Sequence, residues 1–363
     1  MSSLNLPSKQ LLINLSFLAA KPTGHSVYAK NLFSALTNLE PTLLTAQSFS
    51  NFRCYSIPGN MSPDQGNLGH FTRLLWTQFQ LPQIYKKLRS QLLFSPIPEA
   101  PLFTNCQHIV TLHDLIPLRF FSRFSPMRLY CQYYVPQVLN QARHIICISE
   151  ATAKDAVEFF QISLHKMTVT PLGYDDRQFR FLDLPTQNYF LYVGRHNPYK
   201  NLARMIQAFA KIASHTDTEF WIAGASDPRY TPTYITQIEQ LGLSDRVKFL
   251  NYISYDELPI LINQAISLVF PTLWEGFGLP VLEAMACGTP VITSNLSSLP
   301  EVAGDAALLV DPYNTDEIAD AMNTIATQTQ LHQQLRQRGL DRVQQFSWRK
   351  TATATATILQ QYL

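Results

Sequence analysis

Two carboxylates, Glu275 and Glu283, stand eight positions apart in the stretch Pro271-Thr-Leu-Trp-Glu275-Gly276-Phe277-Gly278-Leu279-Pro280-Val-Leu-Glu283-Ala-Met-Ala-Cys-Gly288-Thr-Pro290, across a glycine-rich turn. Pro280 suits the first position of a helix, where a missing N–H costs nothing, and Gly288 suits the residue just past its end. The pattern predicts a short helix with Glu275 on its approach loop and Glu283 on its first turn. The open N-terminus of that helix offers the amides of Phe277, Gly278 and Leu279 and the positive end of the helix dipole, a ready site for a diphosphate. Carboxylates bind hydroxyls by charge-assisted hydrogen bonds. A nucleotide sugar, carrying both phosphates and hydroxyls, fits the pair; spacing alone also admits the two carboxylates of a glycoside hydrolase.

A second group of charges lies in Tyr192-Val-Gly194-Arg195-His-Asn-Pro198-Tyr-Lys200-Asn201, which follows an apolar run and opens a helical pattern. Arg195 and Lys200 thus fall where the carboxyl end of a strand meets the usual ligand position of an open parallel sheet. Two cations there suit a diphosphate and the charge that grows on it as it departs; the plainer alternative is a solvated turn with surface charges. His113, in Thr111-Leu-His113-Asp114-Leu-Ile-Pro117, also ends a strand, where a lone histidine is commonly structural and Asp114 suits a cap for the next segment. The loop Pro22-Thr23-Gly24-His25-Ser26 lacks the Gly-x-Gly-x-x-Gly fingerprint, so Gly24 either makes the turn or lets backbone approach a ligand. No two aspartates stand two residues apart, so the Asp-x-Asp arrangement that holds a divalent metal on a nucleotide diphosphate is absent. Gly-x-Ser-x-Gly, the phosphate-loop pattern and His-Glu-x-x-His are absent too, which weakens hydrolase, P-loop and zinc-protease readings.

These residues need a scaffold of alternating strands and helices, and the chain supplies one. Short apolar runs recur at Leu11–Leu18, His108–Leu112, His144–Ile148 and Met167–Thr170, then at Phe190–Val193, Glu219–Ala223, Val247–Leu250, Ile266–Phe270, Pro290–Thr293 and Ala307–Val310. Helical patterns separate them, as in parallel sheets with crossover helices. The clearest has Leu202, Met205, Ile206, Phe209 and Ile212 on one face. A length of 363 residues suggests two domains. The predicted class is α/β, with one domain over 1–174, a polar, proline-punctuated linker over 175–188, a second domain over 189–345 and a terminal helix over 346–363.

A net charge of +2 and a pI near 8.2 give no overall footprint for nucleic acid. Five cysteines without a Cys-x-x-Cys pair favour reduced thiols in a cytoplasmic setting over a disulfide frame or zinc site. Leu11–Ala20 has the length of a signal-peptide core, but Asn14 and Ser16 interrupt it and a turn and helix follow, which fits a buried first strand better. No run reaches the roughly 18–20 apolar residues of a membrane span. Two stretches, Phe71–Arg89 and Leu118–Tyr134, mix rings with Arg73, Lys86, Lys87 and Arg89, and with Arg119, Arg123 and Arg128. Each suits peripheral contact with an anionic membrane or a lipid-linked acceptor, although the ordinary expectation is an amphipathic helix packed on the sheet.

Together the motifs resemble a retaining glycosyltransferase of family 4, mannosyltransferase-like, over nearly the whole chain. The likeness runs through Lys21-Pro-Thr-Gly24, His113-Asp-Leu-Ile-Pro-Leu, Ile148-Ser-Glu-Ala-Thr, Pro171-Leu-Gly173-Tyr, Val193-Gly194-Arg195, Pro198-Tyr-Lys200-Asn201, Glu275–Pro290, Ser298-Leu-Pro-Glu301-Val-Ala-Gly304 and Phe346-Ser-Trp348. It departs at Asn197, a place often acidic, and at His25-Ser26. The resemblance implies a GT-B fold: two Rossmann-like domains facing across a cleft, the first binding acceptor and the second the nucleotide sugar, with the final helix crossing back. It implies that Glu275 binds donor-sugar hydroxyls, Glu283 the ribose, and Arg195 and Lys200 the diphosphate. His113 would contact the sugar near the anomeric carbon. Gly24, Gly194, Phe277, Gly278 and Leu279 would line the donor, with Gly24 toward the acceptor side. It implies no cofactor and no metal, a nucleotide-sugar donor with GDP-mannose ahead of UDP-glucose, and a glycan or lipid-linked acceptor. A GT-B-like epimerase or phosphorylase fits the Glu275–Glu283 block less well, and a non-catalytic nucleotide-sugar-binding protein is the alternative from another class.

Overall fold

The computed structural model describes residues 10–19 and 23–363. Ala20, Lys21 and Pro22, used in the sequence reading, lie outside the described residues. The chain forms two compact units, one of residues 1–173 with 348–363 and one of residues 174–347.

The first unit holds a seven-stranded sheet in which every neighbouring pair is parallel. Its strands are β1 (Leu11–Asn14), β2 (Thr42–Thr45), β3 (Arg53–Ser56), β4 (Leu92–Ser95), β5 (His108–Leu112), β6 (His144–Cys147) and β7 (Met167–Val169), ordered β3-β2-β1-β4-β5-β6-β7. The inner strands are buried on both faces: Leu11 to Ile13, Leu92 to Phe94, Ile109 and Val110 have no exposed surface. The second unit holds six parallel strands, β8 (Tyr189–Val193), β9 (Glu219–Ala223), β10 (Val247–Asn251), β11 (Ser267–Phe270), β12 (Val291–Ser294) and β13 (Leu308–Val310), ordered β10-β9-β8-β11-β12-β13. Both orders reverse direction once, between β1 and β4 and between β8 and β11. In open parallel sheets, ligands bind beyond the carboxyl ends of the strands at that reversal.

The sequence reading missed β2, β3 and β4. Thr-Leu-Leu-Thr and Leu-Leu-Phe-Ser are four-residue apolar runs that periodicity cannot tell from helix. β3 is an edge strand, partly exposed, with Arg53 and Cys54 toward solvent. The helix Leu202–Ala213 buries Leu202, Met205, Ile206, Phe209 and Ile212, the face that its spacing predicts. Residues 175–188 differ from the linker expected there. They form no strand or helix, yet they belong to the second unit: Phe179 is buried against Tyr255, and the Leu182 amide donates to Asn263 Oδ1 at 2.8 Å. One buried ring and a few hydrogen bonds suffice to fix an irregular segment that has no periodic signature.

The terminal helix Trp348–Gln361 packs in the first unit. Thr351 Oγ1 donates to the Pro171 carbonyl at 2.7 Å, the Trp348 ring lies 6.2 Å from Tyr28 in the helix Gly24–Ser34, and Tyr362 Oη meets His144 Nδ1 at 3.2 Å. Among the described residues no helix is long and apolar enough to cross a membrane.

Candidate active site

The two strands flanking the reversal in the second unit, β8 and β11, each end in a loop that carries one half of an ion pair. Lys200 follows β8 and Glu275 follows β11; Lys200 Nζ donates to Glu275 Oε1 at 2.7 Å and to Oε2 at 2.9 Å. Both side chains are largely withdrawn from water, and the ammonium lies over the Phe270 and Tyr199 rings at 5.5 and 5.4 Å. An ion pair held in such surroundings is strong only with good geometry, and here both carboxylate oxygens are used. The loops are fixed by residues that the motif reading did not single out. Asn201, at a backbone φ of +66°, donates from Nδ2 to the carbonyls of Pro271 and Pro312, and the Leu273 amide donates to the Tyr199 carbonyl at 2.8 Å. The Glu275 amide donates to Ser297 Oγ, while Ser298 Oγ donates to the Glu275 and Phe277 carbonyls. Ser297 and Ser298 come from beyond β12, so no local spacing announces them.

The helix after Glu275 spans Leu279–Ala286, which corrects two positions. Pro280 is its second residue rather than its first, and Glu283 is its fifth, one residue deeper than expected and at the start of the second turn, because the left-handed residue Gly278 caps the helix. Gly278 adopts φ +107°, and a Cβ there would meet Leu299 Cδ2 at 2.6 Å, so both conformation and packing demand glycine. The amides of Phe277 to Leu279 precede the Val281 bond to the Gly278 carbonyl, at the open end of the helix. Glu283 is half-buried; burial and the neighbouring Asp175 push its carboxyl up to about 7. Asp175 in turn accepts a hydrogen bond from Tyr255 Oη at 3.2 Å.

Arg195 is exposed, and among the described residues its guanidinium has no ion-pair partner. Gly194 approaches the backbone of Gly224 closely: a Cβ on Gly224 would stand 1.9 Å from the Gly194 carbonyl oxygen. This juxtaposition of the ends of β8 and β9 holds the loop bearing Arg195 and explains two glycines that lack a fingerprint.

His113 follows β5 in the first unit. Its Nε2 donates to the Pro96 carbonyl at 2.8 Å, which leaves Nδ1 as an acceptor. The ring contacts those of His25 at 4.4 Å and Tyr28 at 4.8 Å, and Thr152 Oγ1 donates to the His113 carbonyl. Burial and then His25 hold the His113 imidazole well below the usual histidine range, so the ring is neutral near pH 7. It lines a cavity of about 200 Å³ with Thr23, His25, His70, Arg73 and Glu99. Gly24 opens the helix Gly24–Ser34, with Thr23 as its cap, and an added Cβ would meet nothing within 4 Å. Among the described residues, neither backbone strain nor internal packing calls for glycine there.

Arg73, read from the sequence as one of a set of basic residues among rings, is buried. Its Nε and Nη2 donate to the two oxygens of Glu99 at 2.7 and 2.8 Å, Nη1 donates to the Met61 carbonyl, and Nη2 meets His70 Nδ1 at 2.8 Å. Burial opposes both charges, yet the pairing holds Glu99 below the usual carboxylate range and Arg73 above its own.

With this geometry described, the likeness to known proteins becomes specific. Residues 22–178 match the model for Glycosyltransferase Family 4 and residues 175–342 the model for Glycosyl transferases group 1. The chain belongs to this glycosyltransferase family. It is 30% identical over 247 residues to the O-antigen chain mannosyltransferase B of Escherichia coli, and the match spans 62% of either protein. It is 26% identical over 327 residues to the O-antigen chain mannosyltransferase RfbU of Salmonella typhimurium, covering 87% of this chain and 90% of that one. Among solved structures, sucrose-phosphate synthase from Thermosynechococcus elongatus superposes with a TM-score of 0.77 at 22% identity, over 97% of this chain and 98% of that one. Anabaena Alr3699/HepE in complex with UDP and glucose gives 0.75 at 18%, over 97% and 99%. At these identities the structures speak for the fold, which is GT-B with two Rossmann-like units.

Proposed function

We propose that the protein transfers mannose from GDP-mannose to a glycan or lipid-linked acceptor, with retention of the anomeric configuration and without a metal, during synthesis of a surface polysaccharide. The observation that carries the proposal is the Lys200–Glu275 pair at the strand reversal, beside the open end of Leu279–Ala286. In this reading Lys200, Arg195 and the Phe277–Leu279 amides receive the diphosphate, and a single preorganised donor is worth roughly 3–4 kcal/mol as charge builds on the leaving group. Glu275 accepts hydrogen bonds from sugar hydroxyls while Lys200 turns toward phosphate. Glu283 takes the ribose hydroxyls, Gly194 and Gly24 leave room for the donor, and His113 Nδ1 accepts from a hydroxyl near the anomeric carbon. The departing phosphate oxygen removes the acceptor's proton on the same face, so neither glutamate acts as nucleophile. The mannosyltransferase names of the two relatives above support the sugar, and the missing Asp-x-Asp supports metal independence. Cytoplasmic residence and peripheral association with a membrane belong to the same proposal.

A thermal-shift screen of sugar nucleotides and nucleotide diphosphates tests it. A ligand at about a hundred times its dissociation constant stabilises by about 2.7 kcal/mol. GDP-mannose and GDP are expected to raise the melting temperature more than UDP-glucose and UDP; equal responses would end the claim of base preference. Trapping a covalent glycosyl adduct on Glu275 would overturn the mechanism.

A further inference from the structure

The helix Gly66–Phe79 faces the unexpected way. Its buried residues include Gly69, Arg73, Trp76 and Thr77, whereas Leu68, Phe71, Leu75 and Phe79 are 72, 57, 43 and 67% exposed. Spacings of three, four and four place these side chains in one stripe along the outer face. An ordinary amphipathic helix would have turned that stripe onto the sheet; here the inner face is occupied by the Arg73–Glu99 pair instead. Beside the stripe lies an apolar depression of about 290 Å³, lined by Pro58, Met61, Leu75, Trp76 and Phe79 among others.

A second segment packs alongside. The Tyr130 ring stands 4.9 Å from His70, and Gln78 Nε2 donates to Tyr134 Oη at 3.0 Å. Residues Tyr130–Tyr134 form a π-turn, and around it Phe124, Met127, Leu129 and Tyr133 are exposed, Phe124 by 89%. Both segments sit in stretches without a carboxylate: no Asp or Glu occurs over 65–98 or over 115–149. Arg73 and Arg119 are paired with Glu99 and with Asp155 and Glu158, Arg128 donates to the Leu118 and Phe121 carbonyls, and Lys86, Lys87, Arg89, Arg123 and Arg143 remain exposed. Large rings beside unneutralised cations and no anions are the composition that binds an anionic interface.

We infer that this surface, the outer face of Gly66–Phe79 with the 124–133 segment, is where the protein docks on an anionic lipid bilayer, with Leu68, Phe71, Leu75 and Phe79 inserted at the headgroup boundary and Lys86, Lys87, Arg89 and Arg123 over the headgroups. This deepens the peripheral association proposed above by naming its surface and lipid charge; it does not depend on the identity of the donor. An acceptor anchored in the same bilayer would then be presented to the unit that carries His113 and its cavity.

Co-sedimentation with phosphatidylcholine vesicles, with and without phosphatidylglycerol, tests the inference. The wild-type chain is expected to sediment with the mixed vesicles and to remain in solution with phosphatidylcholine alone. Phe71→Ser with Leu75→Ser should weaken binding at least tenfold, and Lys86→Glu with Lys87→Glu should both weaken it and flatten its salt dependence. Thermal shift with sugar nucleotides, unchanged in both variants, certifies the fold and separates failure of the surface from failure of the donor reading. The inference is overturned if wild type does not bind the mixed vesicles, if both variants bind as well as wild type, or if sedimentation velocity shows a dimer that the serine variant dissolves, since a second copy would then cover the stripe.

Discussion

The two units draw their candidate groups from the chain in different ways. In the second unit, Lys200, Glu275 and the helix-end amides come from two short stretches of chain, and the acidic and basic groups meet each other directly. In the first, the cavity beside His113 gathers Thr23, His25, His70, Arg73 and Glu99 from separate loops and helices, and the buried Arg73–Glu99 pair holds its wall. The lesson is that groups supplied by two short contiguous stretches compress into a motif, whereas a wall gathered from separate loops and helices leaves no contiguous signature.

Substitutions that separate the two halves give the strongest tests. Lys200→Ala is expected to lower the rate of sugar-nucleotide hydrolysis in the absence of acceptor by about a thousandfold, measured as release of nucleotide diphosphate. It should also cost stability by leaving the Glu275 carboxylate unpaired; pairing it with Glu275→Gln should restore the melt without restoring turnover. Retention of turnover in Lys200→Ala would remove the diphosphate role. Arg73→Ala should have the complementary phenotype, destabilising the first unit by about 3–5 kcal/mol because a buried carboxylate loses its partner, with nucleotide binding by the second unit preserved. Urea denaturation followed alongside nucleotide affinity would show this, and equal loss of both would mean that the halves are not independent.

Gly24→Ala is a smaller and more pointed change. The new methyl meets nothing within the protein and alanine favours a first helical turn, so the melting temperature should hold or rise slightly while transfer activity falls about tenfold. Undiminished transfer would leave the glycine unexplained. The smallest effect concerns Glu283, whose carboxyl is pushed up to about 7. Affinity for an intact sugar nucleotide should improve a few-fold as pH rises from 6 to 8, with an inflection that Glu283→Gln abolishes; the intact donor is used because a terminal phosphate itself titrates near 6. The same shift fixes the sign for stability. Between the ordinary carboxyl value of 4.5 and about 7, the folded state holds a proton that the unfolded chain has released, so this group weakens the fold as pH rises across that window. Glu283→Gln should therefore melt a few degrees higher than wild type at pH 8 and alike at pH 4, in ligand-free protein.

Legibility follows the same division. Strands β8 to β13 were each visible as apolar runs, and the glutamates and lysine were found from type and spacing. Asn201 and Ser298 stand in the quoted motifs, but their hydrogen bonds, like that of Ser297, reach backbone groups of distant loops, so spacing along the chain does not reveal their roles. Strands β2 to β4 escaped because they are four residues long, leucine-rich or on an edge. The deepest error of orientation concerned Gly66–Phe79: its apolar residues suggested one inward face, but the buried guanidinium of Arg73 needs the carboxylate of Glu99, and with Arg73 and Trp76 inward, Phe71 and Phe79 face outward.

The return of Trp348–Gln361 to the first unit sets an order on biosynthesis. The first unit is interrupted in the chain by the whole of residues 174–347. At synthesis rates of about 5–20 residues per second, its last helix follows its last strand by roughly 10–35 seconds. Throughout that interval the flank of Gly24–Ser34 around Tyr28, and the Pro171 carbonyl, await the groups that will cover them. The second unit is thus free to fold to completion while the first is still open, so the nascent chain completes the unit that carries Lys200 and Glu275 before the unit that carries His113 can be sealed.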